Sequence, residues 1–295
     1  ESYQKRGMRA ISLAFKEKLI PEISDETLSS EIDDMYWLGF VAISDPVRQD
    51  VPFAVAECMR AGIEVKIVTG DNAETAAEIG RQTGILPSGV VIPGSTMTGE
   101  EFDEKISHNL TLEEKKEIVS KLKVLSRAKP LHKLKLVEIL QECGEIVAVT
   151  GDGTNDAPAL KHAHVGLSMG KCGTAVAREA SDIVILDDSF SSVVNAVKWG
   201  RSLYSNIQRF IQFQLTVNVA ALLTALIGPF IGMEFPLTVT QMLWVNLIMD
   251  TFAALALATE PPHNEIMLKK PRNPESFIVT PDMLKKIFAY GTAFV

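Results

Sequence analysis

The chain has 295 residues, more than one typical domain holds, so two or more folded units are expected. The formal net charge of −8 and the lack of a basic stripe interleaved with aromatic residues argue against a nucleic-acid-binding protein. Cys58, Cys143 and Cys172 are odd in number and lack metal-ligand spacing, which indicates a reducing compartment for the part that holds them. The chain starts without Met and ends inside an apolar segment, as a piece of a longer protein would.

The first chemically suggestive segment is Thr69-Gly70-Asp71-Asn72. It lies between a predicted strand, Glu64–Val68, and a predicted helix, Ala73–Arg81. Backbone N–H groups at the start of a helix favour a phosphate, and Thr69 adds a hydroxyl donor. Asp71 and Asn72 can equally cap the helix. The pattern alone leaves a phosphate site and a capped turn equally open.

A second segment of this kind runs from Thr150 to Asp156, directly after the apolar run Ile146–Val149. Such a run is typical of a buried parallel strand, and open α/β sheets bind ligands where such strands end. Asp152 and Asp156 supply hard oxygens suited to Mg²⁺, and Asn155 can reach a phosphate oxygen. The alternative is an acidic turn that caps a helix.

Lys133 lies near the start of a helix predicted to begin after Pro130, so its ammonium group can face the same sheet edge. The alternative for this Lys is a solvated surface residue. The segment Gly166–Lys171 resembles a phosphate-binding P-loop, but its glycines are one residue too close and Cys172 replaces the Ser or Thr.

Strand and helix patterns alternate through the first two thirds of the chain, which predicts an α/β fold with a doubly wound parallel sheet. Further strands are predicted at Leu38–Ile43, Val90–Ile92, Val165–Met169 and Ile183–Leu186. Further helices are predicted at Ala54–Ala61, Glu100–Lys121 and Ala175–Ala180, and a polar loop at Leu19–Asp34.

The last third predicts membrane helices. Phe210–Met233 contains no charged residue, and about 24 residues at roughly 1.5 Å each exceed a hydrocarbon core of about 30 Å. Phe235–Thr259 is a second span, interrupted only by Asp250, and Ile287–Val295 begins a third. Lys and Arg flank the hairpin outside and are absent from its turn, which predicts both outer flanks in the cytoplasm.

An acid inside a membrane span costs several kcal/mol unless it is paired or hydrated, so Asp250 is a candidate functional residue. Asn246 lies four residues earlier on the same helical face, and Asn218 lies in the first span. A hard cation bound by these oxygens explains all three residues. Helix–helix hydrogen bonding is the alternative, and it suits Asn218 better than an ionised Asp250.

Taken together, the TGDN segment at Thr69, the KPLHK segment ending at Lys133 and TGDGTNDAPALK at Thr150 resemble the haloacid-dehalogenase-like core of P-type ATPases. The resemblance covers nearly the whole chain and implies a doubly wound parallel sheet followed by transmembrane α-helices. It implies these divisions: 1–40, tail of a nucleotide-binding domain; 41–195, phosphorylation domain; 196–209, stalk; 210–233 and 235–259, fifth and sixth membrane helices; 260–281, cytoplasmic loop; 282–295, start of the seventh.

By this resemblance, Thr69 and Lys133 hold the transferred phosphoryl group, Asp152 ligates Mg²⁺, and Asn155 and Asp156 order the site. Gly70 and Asp71, in the Thr69 segment, are counted with them as catalytic residues. Arg127 is expected near the nucleotide, and the hinge residues Asp45 and Arg48 are grouped with it as cofactor-binding. No Asp-Lys-Thr-Gly-Thr occurs in the chain, so the phosphorylated Asp is expected in the upstream half of the same polypeptide.

WVNLIMD at Trp244–Asp250 resembles the sixth helix of calcium pumps, and QFQLTVN resembles the plasma-membrane-type branch. This implies ATP-driven export of one Ca²⁺ per cycle, held by Asn218, Asn246 and Asp250, in a protein of the lipid bilayer, with the plasma membrane favoured over an internal one. Three rival functions remain. The first is a soluble phosphatase, and the second is a P-type pump for Mn²⁺, a monovalent cation or lipid. The third is a non-catalytic membrane fragment.

Overall fold

The computed structural model describes residues 8–17, 35–43, 46–90, 92–106, 110–233, 236 and 238–295. The chain divides into two compact units. The first contains Glu1–Ala56 and Glu64–Phe190, and the second contains Glu57–Ile63 and Ser191–Val295. The predicted polar loop Leu19–Asp34 lies outside the described residues.

The first unit begins with an antiparallel hairpin of β1 (Arg9–Phe15) and β2 (Tyr36–Ile43), paired from Arg9 with Ile43 to Phe15 with Tyr36. Trp37 donates its indole N–H to Ser12 Oγ at 2.9 Å. Most of the large apolar side chains of this hairpin, including Trp37 and Phe40, are exposed. Cross-strand pairing therefore defines this hairpin more than burial does.

The next elements along the chain are α1 (Val51–Arg60), β3 (Ile67–Val68), α2 (Ala73–Gln82), β4 (Thr96–Thr98), α3 (Gly99–Ile106), α4 (Leu112–Lys121), β5 (Val124–Ser126) and α5 (Pro130–Glu142). Their three strands form a parallel sheet in the order β3-β5-β4. The central strand β5 is fully buried, as expected for a parallel strand with both faces covered. Its Leu125 packs in one core cluster with Phe102 and Leu136.

A second parallel sheet follows, in the order β6-β7-β8. Its elements are β6 (Ala148–Gly151), a 3₁₀ turn (Thr154–Asp156), α6 (Ala157–His162), β7 (Val165–Met169), α7 (Ala175–Ala180) and β8 (Ile183–Ile185). The strand–helix alternation and the parallel pairing are confirmed. In the described residues the pairing forms two three-stranded sheets, where one continuous sheet was predicted.

Two local predictions are wrong. Val90 and Ile92 lie outside any strand, and the strand of this region is β4, whose Met97 is buried. The single helix predicted over Glu100–Lys121 is two helices, because Thr111 and Glu114 form a capping box that starts α4 afresh.

The second unit contains α8 (Phe190–Ile227), a 3₁₀ turn (Gly228–Ile231), α9 (Val239–Ala258), a further 3₁₀ turn (Asn264–Leu268) and α10 (Pro281–Ala293). Two helices of the described chain are long and apolar enough to cross a membrane: α8 with its following turn, and α9. Leu222 and Phe230 are 68% and 86% exposed, whereas the core helix of a soluble protein would bury such side chains.

Arg201 of α8 bonds to the chain around the 3₁₀ turn Asn264–Leu268. Its guanidinium donates to the carbonyl oxygens of Lys269 at 2.7 Å, Ala61 at 2.8 Å and Ile266 at 3.3 Å. Further along the same helix, Asn206 donates to the Glu260 carbonyl at 3.1 Å. Planar guanidinium and amide donors thus bond to carbonyl groups in and beside this turn and at the ends of two helices.

Candidate functional site

Lys133 and Asp156 form the central ion pair of the candidate site. Lys133 Nζ lies 2.6 Å from Asp156 Oδ1, and the two side chains are 20% and 12% exposed. Lys133 is in the first turn of α5, and Asp156 ends the 3₁₀ turn that follows β6. The ammonium group therefore faces the carboxyl end of a parallel strand, and the solvated-surface alternative for Lys133 is wrong.

The loop after β6 folds tightly around Asp156. Asp156 Oδ2 accepts the backbone N–H of Gly153 at 3.2 Å, so both carboxylate oxygens have a donor. Asp152 and Asn155 are exposed at this loop, whereas Asp156 is buried. The loop thus presents one carboxylate and one amide outward and keeps the second carboxylate to hold Lys133.

The Thr69 segment forms a second loop, at the end of β3. Thr69 Oγ1 accepts the Asp71 backbone N–H at 3.1 Å and donates to Asp71 Oδ2 at 2.9 Å. Asn72 is the N-cap of α2, since its Oδ1 accepts the Thr75 N–H at 2.8 Å. Of the two candidate caps, Asn72 fills that role and leaves Asp71 exposed beside Thr69.

The Thr69 loop is bonded to the segment that leads into α5. The N–H of Arg127 donates to the Asp71 carbonyl at 2.8 Å, and that of Ala128 donates to the Thr69 carbonyl at 2.9 Å. Arg127 adopts a left-handed conformation, with φ +47°, which turns the chain from β5 towards Pro130. Its side chain is exposed.

These bonds join the predicted residues in two groups. Thr69, Gly70, Asp71 and Arg127 lie at the end of the β3-β5-β4 sheet, and Asp152, Asn155 and Asp156 lie at the end of β6. Lys133 connects the groups, because α5 starts at the first and its ammonium group bonds to the second.

A third loop, Gly170–Thr174, supports Asp152 from β7. The N–H of Thr174 donates to the Asp152 carbonyl at 2.8 Å. The N–H groups of Gly170, Lys171 and Cys172 converge on the Asp188 carboxylate at 2.7, 3.0 and 2.9 Å. The chain's own carboxylate thus occupies the anion-binding turn of the loop that resembled a P-loop.

Asp188 was not predicted as a site residue. It is buried and has φ +56°, and its carbonyl accepts the guanidinium of Arg48. Burial raises its pKa, but the Cys172 thiol and the N–H groups of Lys171, Cys172 and Gly170 outweigh burial and lower the pKa to about 2. The sequence signal that could have identified Asp188 is the Asp187-Asp188 pair, which directly follows the predicted strand Ile183–Leu186.

The two hinge residues grouped with the nucleotide have different outcomes. Arg48 lies against the Asp188 backbone, within the first unit. Asp45 lies outside the described residues.

The donor set fits Mg²⁺, although within the described chain no group of three or more His, Cys, Asp or Glu side chains is arranged to hold a metal. Mg²⁺ commonly takes one or two carboxylates and completes its shell with water and phosphate oxygens. The exposed Asp152 can supply the first carboxylate, whereas the buried Asp156 is held by Lys133 and the Gly153 N–H.

In the second unit, Asn218 lies on α8, and Asn246 and Asp250 lie on α9. Asn246 and Asp250 are four residues apart, which places them on one face of that helix. Asn246 is exposed. The Asp250 side chain lies outside the described part of the structure.

Comparison with known proteins finds relatives that are much longer than this chain. It is 48% identical to Calcium-transporting ATPase 2 of Schizosaccharomyces pombe over 97% of the chain and 22% of that protein. It is 47% identical to Putative calcium-transporting ATPase 13, plasma membrane-type, of Arabidopsis thaliana over 98% of the chain and 28% of that protein. The human Plasma membrane calcium-transporting ATPase 3 is 45% identical over 97% of the chain and 24% of its own length.

The chain therefore spans about a quarter of the length of the curated relatives it matches. A family model described as cation transporting ATPase, C-terminus, matches residues 234–295. The model of the haloacid dehalogenase-like hydrolases matches residues 2–164, which is more than half of the chain and includes the Thr69, Lys133 and Asp156 segments. The chain belongs to the haloacid dehalogenase-like hydrolase family.

Proposed function

We propose that this chain carries the phosphoryl-transfer site and two ion-binding helices of an ATP-driven pump that exports Ca²⁺ from the cytosol. The observation that carries the proposal is one chain that joins a Lys133–Asp156 pair to two helices able to cross a membrane. Relatives named calcium-transporting ATPases match over both parts, since 97–98% of the chain is covered.

Phosphoryl transfer needs cations and hydrogen-bond donors around a transition state whose charge is spread over the phosphoryl oxygens. In the proposed reaction, the Thr69 hydroxyl and the Lys133 ammonium group bind those oxygens. Mg²⁺, held by Asp152, supplies charge neutralisation when bound. Asp156 keeps Lys133 in place, and Asn155 orders the exposed side of the loop.

The acceptor of the phosphoryl group is proposed to be an Asp from the upstream part of the same polypeptide. The nucleotide is ATP, with Arg127 close to it and Asp45 and Arg48 at the hinge. The phosphorylation domain is placed in the cytoplasm and the helices in the lipid bilayer, preferably of the plasma membrane. The divisions at 1–40, 41–195, 196–209, 210–233, 235–259, 260–281 and 282–295 belong to this proposal.

The transported cation is proposed to be a single Ca²⁺ bound by Asn218, Asn246 and Asp250. Amide and carboxylate oxygens are ligands that Ca²⁺ prefers, and the remaining ligands come from outside this chain. An ionised Asp within a span is costly unless a cation or water compensates it, which gives Asp250 a purpose in transport.

The experiment uses the complete polypeptide in membranes and measures phosphoenzyme formed from γ-labelled ATP with Ca²⁺, Mn²⁺, Na⁺ or K⁺. Wild-type protein should be labelled with Ca²⁺, and Lys133→Met should reduce labelling about a hundredfold or more. Asp250→Asn should abolish Ca²⁺-dependent labelling. Asp282→Asn, which changes an exposed carboxylate at the start of α10, should retain that labelling.

Each other outcome has a defined meaning. Labelling that needs Mn²⁺ or a monovalent cation would replace Ca²⁺ as the cargo, since Mn²⁺ takes similar oxygen ligands. No labelling with any ion would favour a non-catalytic membrane protein. Full Ca²⁺-dependent labelling in Asp250→Asn would disprove the assigned ion site.

A further inference from the structure

The unusual feature behind the candidate site is a buried histidine in the first turn of α5. The His132 side chain is 7% exposed, and its Nε2 lies 3.0 Å from Asp103 Oδ2 on α3. Its Nδ1 lies 3.2 Å from the backbone nitrogen of Lys129. Asp103 also accepts the Lys135 ammonium group at 2.8 Å, so the carboxylate is held from two sides.

These contacts assign the tautomer of His132. The Lys129 N–H can only donate, so Nδ1 must carry a lone pair and the ring proton lies on Nε2. That proton is donated to Asp103. The pKa of Asp103 is lowered, chiefly by the hydrogen bond from the Lys135 ammonium group and also by the His132 ring. Both contacts favour the ionised carboxylate.

His132 supplies one of the two bonds of a capping box, the bond from its ring back to the backbone N–H of the N-cap residue. The N-cap residue is Lys129, which makes no side-chain cap hydrogen bond, and Pro130 follows it. Ser, Thr, Asp or Asn normally takes the N-cap position and fixes the entry of the chain into the helix. Here His132 reaches back to the Lys129 N–H, and Lys133 is the next residue along the helix.

Space for the ring is provided by Gly99. A β-carbon on Gly99 would lie 2.0 Å from His132 Nδ1 and 3.0 Å from the Arg127 carbonyl oxygen, and the first of these distances is one that real atoms do not reach. His132 belongs to the segment from Arg127 to Lys133, which leads from β5 into α5. Ala128, in this segment, bonds to the Thr69 carbonyl. The His132 ring is therefore bonded to the same short stretch that joins the Thr69 loop to Lys133.

We propose that His132, held between the Lys129 N–H and the Asp103 carboxylate, is a positioning residue that sets the first turn of α5 and so directs Lys133 at Asp156. It does not touch the transferred group. Its effect passes through Lys133, and only the catalytic consequence rests on the proposed function.

The direct test measures Lys133 exposure in the 295-residue chain in detergent, as the rate of acetylation by acetic anhydride read by mass spectrometry. His132→Leu should increase the Lys133 rate about fivefold, the population change that one lost hydrogen bond gives. His132→Asn should restore the slow rate, because its amide oxygen can accept the Lys129 N–H. The matched control is His162→Leu on α6, an exposed histidine, which should leave the rate unchanged.

A second measurement needs no variant and applies even if His132→Leu fails to fold. Long-range ¹H–¹⁵N spectra of the wild-type chain should show the His132 ring with its proton on Nε2, the nitrogen that faces Asp103. A proton on Nδ1 would overturn the proposal. So would a Lys133 rate unchanged in a folded His132→Leu chain, or an equal increase in His132→Asn.

The catalytic consequence is read in the complete polypeptide as phosphoenzyme formation. His132→Leu should lower it, and His132→Asn should retain most of it. If wild-type protein forms no phosphoenzyme, the proposed function fails, whereas the Lys133 acetylation rates and the ring tautomer still decide the role of His132.

Discussion

Gly151 faces the side chain of Asp156 so closely that a β-carbon on Gly151 would lie 2.5 Å from Asp156 Cβ and 2.9 Å from its Oδ2. Asp156 cannot shift away without weakening a hydrogen bond, because Lys133 holds one carboxylate oxygen and the Gly153 N–H holds the other. The glycine at the end of β6 is therefore required by close packing around the ion pair. Its role is not a special backbone angle, since its φ is not positive.

Gly151→Ala is expected to lower the free energy of unfolding by about 1–3 kcal/mol, because the new methyl group overpacks a tight site. It should also displace Asp156 and reduce phosphoenzyme formation in the complete polypeptide. Unfolding in detergent and labelling by ATP measure the two effects. Gly200→Ala is the matched control: nothing lies within 4 Å of the place that its β-carbon would take, so stability should be unchanged or rise by about 0.5–1 kcal/mol. Wild-type stability and labelling in Gly151→Ala would contradict this account.

Asp188→Asn is expected to reduce the loss of stability that the wild-type chain shows as pH falls below 3.8. The folded-state pKa of Asp188 is about 2, below the ordinary 3.8, so its stabilisation is fully present above pH 3.8 and is lost as pH falls towards 2. Asn tolerates the left-handed backbone at this position, so the variant removes the charge and one of the two acceptor oxygens.

Thermal unfolding in detergent from neutral pH down to about pH 2.5 measures the effect of Asp188→Asn. The variant should be less stable than wild type at neutral pH, and the difference should shrink below pH 3.8. Asp282→Asn, an exposed carboxylate, is the control and should follow the wild-type curve. A constant difference between Asp188→Asn and wild type across the range would show that charge is not the cause.

Arg201→Met is expected to destabilise the second unit by about 2–4 kcal/mol, because three carbonyl groups lose their shared donor. Arg201→Lys should recover little of this loss, since one ammonium group cannot reproduce the guanidinium fork. Proteolysis of the 259–280 segment and thermal unfolding measure the outcome. Lys198→Met on the same helix should have a small effect. A Lys variant as stable as wild type would show that charge alone suffices.

The local elements were largely predictable from sequence, because their signals are local. The apolar run before Thr150, the helix after Asn72 and the long uncharged stretch after Phe210 each depend on residues close together in the chain. Errors arose where local signals compete. Helical residues from Glu100 to Lys121 hide the capping box at Thr111, and the apolar Val90–Ile92 segment resembles a strand although Thr96–Thr98 forms it.

The amino-acid sequence by itself determined the candidate residues, the α/β class and the two apolar helices, since residue chemistry and periodicity are written along the chain. Only the tertiary structure decided which atoms meet. Lys133 finds Asp156 across 23 positions, and Asp188 enters a turn 16 to 18 positions away. Such pairs depend on how strands and helices pack, because a side chain's partner is set by distance in space.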